Sequence, residues 1–323
     1  MYMYKFKPIL KTMLWGGEKI VPYKRIVSDQ KQVGESWELS GVKGNESVVA
    51  EGPEAGTTLP GLIARHGAAL LGKANFERFG EEFPLLIKFI DARQDLSIQV
   101  HPDDELARKR HGKSGKCEMW YVLEAEPGAS LLTGFSRPIA PAEYERRVAD
   151  NTLTDVLNRQ AIASGDVFYL PAGRVHSIGK GSFIVEIQQS SDITYRIYDF
   201  DRRDAAGNSR ELHTELAREA IDFESSENSR ITYAPENNQE VRLVTTPYFT
   251  TSLYTLTART RCDWSATDSF VAIVLLQGSG SLTDNEGNRI DVRQGETWLL
   301  PASTQWTEIT PHTAPLRLLT SRI

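Results

Sequence analysis

Apolar and polar residues alternate over short stretches of this chain, with the period of a strand rather than a helix. In Asp95-Leu-Ser-Ile-Gln-Val-His101, Leu96, Ile98 and Val100 fall on one side while Ser97, Gln99 and His101 share the other. Other runs are almost continuously apolar, as in Pro84-Leu-Leu-Ile-Lys-Phe-Ile90 and Phe183-Ile-Val-Glu186-Ile-Gln. A third, Phe270-Val-Ala-Ile-Val-Leu-Leu, continues into Gln-Gly-Ser-Gly-Ser-Leu-Thr-Asp-Asn-Glu-Gly and reads as a hairpin. Glycine, proline and asparagine punctuate these runs, so an antiparallel all-β architecture is expected. Helical pattern lies between them, predicting helices at about 60–80, 102–112 and 138–160. Proline and acids open Pro102-Asp103-Asp104-Glu105-Leu-Ala-Arg-Lys-Arg and bases close it, as the helix dipole favours. A further helix is expected within Glu211-Leu-His-Thr-Glu-Leu-Ala-Arg-Glu-Ala-Ile, linking two β units.

Two stretches about 130 residues apart look like copies of each other. Gly165-Asp-Val-Phe-Tyr-Leu-Pro171-Ala-Gly173-Arg-Val-His176 and Gly295-Glu-Thr-Trp-Leu-Leu-Pro301-Ala-Ser303-Thr-Gln-Trp306 both run from glycine and an acid through a β-type segment to Pro-Ala and a turn. Repetition of this kind points to a duplicated jelly roll, with a first domain over 1–225 carrying the inserted helices and a second over 226–323.

Composition narrows the function. At 323 residues with 40% hydrophobic and 25% charged content, the chain is ordinary for a two-domain globular protein. No run approaches the roughly 20 apolar residues of a membrane helix, and no apolar leader follows Met1, so a cytoplasmic protein is expected. The two cysteines, Cys117 and Cys262, then read as free thiols. A net charge of −6 without a basic cluster argues against nucleic acid, yet a few focused cations can still hold a small anion.

Four residues stand out as potential metal ligands: Gln99, His101, Glu118 and His176. Gln99 and His101 share a strand face, Glu118 opens Glu118-Met-Trp-Tyr-Val-Leu, and His176 follows the Pro171-Ala-Gly173 turn. Two imidazoles, a carboxylate and an amide oxygen form a mixed set that suits Zn2+. Lys116 lies two residues before Glu118 and would share its face, whereas Cys117 would point away.

The spacing Gly165-(five residues)-Pro171-x-Gly173-x-x-His176 resembles the second cupin motif. Leu-Ser97-Ile-Gln99-Val-His101-Pro102-Asp103 is similar to a strand of the type I mannose-6-phosphate isomerases, as are Trp15-Gly16-Gly17 and Gly34-Glu35-Ser36-Trp37-Glu38-Leu39-Ser40. The resemblance spans most of residues 5–200 and is to the short bacterial form of that family. It implies two cupin domains and one zinc per chain on Gln99, His101, Glu118 and His176. It also implies interconversion of mannose 6-phosphate and fructose 6-phosphate through a cis-enediol. Trp306 replaces the histidine in the second copy, which is therefore expected to bind no metal. Ser114-Gly115-Lys116-Cys117-Glu118 departs from the Asn-His-Lys-Pro-Glu of longer members, so a mechanism using that histidine does not transfer.

Proton transfer between C2 and C1 needs a base, and two residues are candidates. Glu186 sits on an apolar strand, where burial favours the protonated acid; Lys116 is an amine that neighbouring positive charge favours as neutral. Arg196, in Asp192-Ile-Thr-Tyr-Arg196-Ile-Tyr-Asp, matches the active-site arginine of the family and suits stabilisation of an enediolate or phosphate. Lys88 and Ser97 are candidate phosphate contacts. The partner expected is a small sugar phosphate, with no membrane or nucleic acid; the number of subunits stays open. The competing classes are a non-catalytic sugar-binding bicupin and an iron-dependent cupin oxygenase.

Overall fold

The computed structural model describes residues 1–204, 206–224 and 228–323. Two β sandwiches account for most of it. In the first, a seven-stranded sheet runs in the order Arg230–Ile231, Val167–Leu170, Glu118–Ala125, Ser182–Gln189, Leu85–Ala92, Ile9–Gly17, Val33–Leu39. It packs on a five-stranded sheet in the order Tyr195–Tyr198, Ile98–Val100, His176–Ile178, Ser130–Phe135, Leu157–Ala161. The second sandwich pairs a six-stranded sheet with a four-stranded one.

The hydrophobic pattern follows from this layering. The seven- and six-stranded sheets lie back to back and share a core. Leu85, Ile87, Phe89, Val185 and Ile187 of the first contribute, with Leu253, Ala272, Val274, Leu299 and Leu319 of the second. Their inner faces pack into their own sandwiches, so both faces of each large sheet are buried and their central strands read as continuous apolar runs. The five-stranded sheet instead turns Ile98, Val100, Tyr195 and Ile197 outward under a helical cover that includes Pro141–Ala149 and Thr214–Ala220. The alternate residues Gln99 and Arg196 therefore point inward.

The two copied motifs share a backbone path. Gly165 (φ 92°) and Gly295 (φ 82°) each donate to a strand carbonyl, Val122 O and Leu275 O, both at 2.8 Å. The amides of Val122 and Leu275 answer by donating to Asp166 O and Glu296 O, both at 2.9 Å. Val167–Leu170 and Thr297–Leu300 then lie in the large sheets, and after the Pro-Ala turn the chain changes sheet, to His176–Ile178 and to Trp306–Pro311. This is the expected duplicated cupin jelly roll. Trp306 stacks against the Arg261 guanidinium, 4.1 Å from its ring centroid.

Three expectations are corrected. The segment 270–287 is not a hairpin: Val271–Gln277 belongs to the six-stranded sheet and Ser279–Asp284 to the four-stranded one, with Gly278 (φ 84°) at the corner. Thr313 Oγ1 would stand 2.8 Å from any Cβ there, so a side chain is excluded by space as well as by φ. The helix expected through 160 ends at Ala149; after a 3-10 turn, Leu157–Ala161 becomes an edge strand on Ser130–Phe135. The helix expected from Glu211 begins at Thr214 and packs on the first sandwich rather than bridging the two. The other helices among the described residues are Ile20–Lys24, Leu59–His66, Ala68–Leu71 and Lys73–Phe79, and Asp104–His111 capped by the Asp103 carboxylate. Among the described residues, no helix is long and apolar enough to cross a membrane.

Candidate metal centre and active site

The inner faces of the first sandwich meet at one end in two rows of cross-strand neighbours. In the five-stranded sheet the row is Arg196, Gln99, His176, Thr133. In the seven-stranded sheet it is Trp37, Lys88, Glu186, Trp120. Glu118, two residues before Trp120, shares that face. His101 follows the end of its strand, where Pro102 stops the ladder. His176 is delivered by the Gly173 turn, whose positive φ of 84° and closeness to the Ala220 carbonyl (3.1 Å from a Cβ) require glycine.

These elements bring the four expected ligands together. His176 Nε2 lies 3.1 Å from Glu118 Oε1, and His101 Nε2 lies 3.5 Å from Glu118 Oε2. Gln99 Nε2 is 3.4 Å from His176 Nε2, and its Oε1 accepts from Ser97 Oγ at 3.4 Å. Half a turn of the amide brings that oxygen to the ligand side. Each imidazole uses Nδ1 on a backbone carbonyl, His101 on Ile193 O (2.9 Å) and His176 on Arg174 O (2.8 Å). An Nδ1 that donates fixes the tautomer and leaves the Nε2 lone pair inward. His101 Nε2 and both Glu118 oxygens are buried with no hydrogen-bond partner among the described residues. Lys116 Nζ serves one Glu118 oxygen as an ion pair at 3.1 Å, but the inward Nε2 lone pairs of the two imidazoles face that carboxylate with no proton between them, which is costly unless a cation takes them. The set therefore fits a metal ion.

Electrostatics prepare it further. Burial, aided by the Lys116 ammonium, pushes the His101 imidazole down to about 3, so it is a neutral donor. Burial opposes the charge on Glu118, but Lys116 and the two histidines outweigh it and hold the carboxyl well below its usual range.

The remaining candidates line one cleft beside this centre: Lys88, Ser97, Lys116, Glu186 and Arg196. Lys116 Nζ stands 3.1 Å from Glu118 Oε2. Glu186 is committed at both oxygens, to Lys88 Nζ at 2.9 Å and to Trp120 Nε1 at 3.0 Å. Burial opposes the Lys88 charge, but Glu186 and Glu35 hold the ammonium above its ordinary value. Arg196 donates from Nη1 to Glu211 O at 2.9 Å, while its Nε is buried without a partner among the described residues. Burial first, then neighbouring Arg210, bring Arg196 below the usual arginine value. Cys117 turns away, its sulfur accepting from Ala172 N at 3.3 Å.

Sequence reasoning missed Trp120, which parity with Glu118 could have revealed, and Glu35 and Arg210, which also line the cleft. Arg210 lies 14 residues beyond Arg196 on irregular chain, so no periodicity points to it.

Fold and donor set together define a metal-binding cupin enzyme. The family model for the phosphomannose isomerase type I catalytic domain matches residues 3–132, and the chain is 34% identical to mannose-6-phosphate isomerase ManA of Bacillus subtilis over 300 residues, 92% of each chain. The chain belongs to the type I phosphomannose isomerases. It is also 33% identical over 289 residues to the mannose-6-phosphate isomerase of Streptococcus mutans, 89% of each chain. The crystal structure of the mannose 6-phosphate isomerase from Bacillus subtilis superposes with a TM-score of 0.90 at 29% identity, covering 100% of both chains.

Proposed function

We propose that this isomerase interconverts mannose 6-phosphate and fructose 6-phosphate, with one zinc ion held by Gln99, His101, Glu118 and His176. The observation that carries the reading is the convergence of buried donor atoms from His101, Glu118 and His176, all within 4.8 Å of one another, beside a cleft lined by Lys116 and Arg196. When bound, zinc supplies positive charge against developing oxyanions and holds substrate hydroxyls. Two imidazoles, one carboxylate and one amide suit it.

Lys116 is the proposed base. In its neutral form the Lys116 amine takes the proton from C2. The C–H pair forms the C1–C2 double bond while the C1 carbonyl π pair moves to O1, which gains a proton to give the cis-enediol. O2 then loses its proton as the C2 carbonyl forms, and the C1–C2 π pair takes a proton at C1 from the Lys116 ammonium, which can exchange with water in between. Glu186 is the poorer candidate because Lys88 and Trp120 already occupy its oxygens. It holds Lys88 at the cleft wall instead. The Arg196 guanidinium, always charged, stabilises the enediolate oxygen. Ser97 offers a hydroxyl beside Gln99 for a substrate oxygen. Two buried, unpaired cysteines suit a cytoplasmic setting.

The test is a coupled assay for fructose 6-phosphate with metal analysis on the same sample. Turnover with one zinc per chain is expected; stoichiometric iron with oxygen consumption, or no turnover at all, overturns the reading. Lys116→Ala is expected to lose about 100-fold or more in kcat and to stop solvent exchange at C2. Exchange retained in Lys116→Ala but lost in a folded Glu186→Gln transfers the base to Glu186.

A further inference from the structure

We propose that Arg210, aimed by Asp199, is the residue that grips the substrate phosphate; this rests on the sugar-phosphate reading above. Arg210 lines the cleft with Arg196. The buried Asp199 carboxylate takes its guanidinium in a fork, Oδ2 accepting from Nε at 2.7 Å and Oδ1 from Nη2. That commits one edge of the guanidinium and leaves Nη1 with no protein partner among the described residues, on a side chain that is 29% exposed. A donor held rigidly on one edge and open on the other is pre-organised for an anion, because little rotamer entropy remains to be lost on binding.

The local charge balance calls for one. Arg196, Arg202 and Arg210 gather around Asp199, with Arg202 Nη1 3.4 Å from Asp199 Oδ1 and its Nη2 donating to Asp95 O. Of the other acids in reach, the Glu211 carboxylate is 83% exposed and screens little, and the Asp95 charge acts on Arg202. Half-buried guanidiniums crowded on one carboxylate repel one another, and burial and that crowding bring both Arg196 and Arg202 below the usual arginine value. A phosphate carrying about −1.5 to −2 charges removes the imbalance. The other cations of the cleft are poorer candidates. Lys88 is committed to Glu186 and only 7% exposed, and Lys116 lies on Glu118.

Arg210 also stands on the segment that positions Arg196. Glu211 O accepts from Arg196 Nη1, Arg196 N donates to His213 Nδ1 at 3.2 Å, and His213 N donates to Arg196 O at 2.7 Å. Phosphate bound at Arg210 thus braces the strap on which Arg196 depends. Binding energy from the non-reacting end of the sugar is in this way spent on orientation at the reacting end.

The experiment compares wild type, Arg210→Gln, Arg210→Lys and Asp199→Asn in the full chain. It measures kcat and KM for mannose 6-phosphate, inhibition by inorganic phosphate, calorimetric phosphate binding, zinc content and thermal melting. Arg210→Gln is expected to raise KM and the phosphate inhibition constant by about tenfold or more with zinc content unchanged. Asp199→Asn, which loosens the fork without removing the donor, should raise KM by a smaller factor with kcat less affected. Arg210→Lys keeps the charge, so it carries the test if the glutamine variant does not fold, and it should lose affinity because the fork is gone. A folded Arg210→Gln or Arg210→Lys with wild-type KM and wild-type phosphate affinity overturns the proposal. If wild type forms no fructose 6-phosphate, the isomerase reading fails, and loss or retention of calorimetric phosphate binding in the Arg210 variants still decides the role of Arg210.

Discussion

Gln99 and His176 face each other across an antiparallel strand pair, and Gln99 has Arg196 as its neighbour on the other side. Two proposed metal ligands and the proposed oxyanion stabiliser are thus consecutive members of one cross-strand row. The row of Lys88, Glu186 and Trp120 belongs to the opposite sheet of the same sandwich. Sites set on paired strands are held more rigidly than sites on loops, because the ladder that fixes the strands fixes the side-chain spacing.

His101→Ala or His176→Ala is expected to lose metal and turnover together. Either change removes one imidazole and leaves Glu118 beside Lys116 without its full donor set. Metal analysis after dialysis, run with the activity assay, checks this. Turnover by a metal-free variant would refute the metal role. In wild type, chelation should lower the melting temperature and added zinc restore it, since a ligand that binds only the folded state stabilises it.

Arg196→Ala is expected to keep its metal and lose about 100-fold in kcat, the scale of one oxyanion donor. His213→Ala should reproduce part of this loss, because the His213 ring accepts the Arg196 amide at 3.2 Å. Near-normal kcat in Arg196→Ala would remove it from the reaction.

Both thiols should be slow to react in the native protein. Burial pushes Cys262 up to about 11 and raises Cys117 as well. A raised value keeps each thiol protonated at pH 8, and the thiolate is the reactive form. A thiol-disulfide colour reagent should therefore label neither residue at pH 8 in native protein but both in denaturant, with Cys262 accelerating as the pH approaches 11. Fast native labelling would contradict the burial.

Glu38→Ala should destabilise the fold by about 3–5 kcal/mol, the usual cost of orphaning a buried partner. Lys24 Nζ lies 2.7 Å from Glu38 Oε2 with both side chains under 5% exposed, and it also donates to Gly295 O of the second sandwich. Replacing both, as Lys24→Met with Glu38→Leu, should cost less than Glu38→Ala alone. Urea unfolding of wild type and the two variants checks the order.

The meeting of His101, Glu118 and His176 was legible because strand parity and a turn motif are local signals. Gln99 and His101 share a face by the two-residue period, and Gly173 announces the turn that presents His176. The long apolar runs were legible as strands for the same reason. Which sheet a strand joins was not legible. Val271–Gln277 and Ser279–Asp284 look like hairpin arms, yet Val271–Gln277 pairs with Thr297–Leu300 and Leu316–Arg322 while Ser279–Asp284 pairs with the next strand, Arg289–Arg293, and with Trp306–Pro311, and a single corner at Gly278 decides between the outcomes. Leu157–Ala161 carries Asn, Arg and Gln, which a helix tolerates well, and only its partner Ser130–Phe135 makes it a strand. The Lys24–Glu38 pair and the Asp199–Arg210 fork are tertiary meetings of charges with no sequence period.

The pairing of Tyr4–Lys5 with Thr297–Leu300 closes one side of the six-stranded sheet with the first residues of the chain. Each half of the molecule is consequently unfinished without the other. A separately expressed fragment from about 232 onward would present Thr297–Leu300 as an open edge, together with the bare apolar backs of Ala272, Val274 and Leu299, and should self-associate. Co-expression with the amino-terminal fragment should restore a soluble pair.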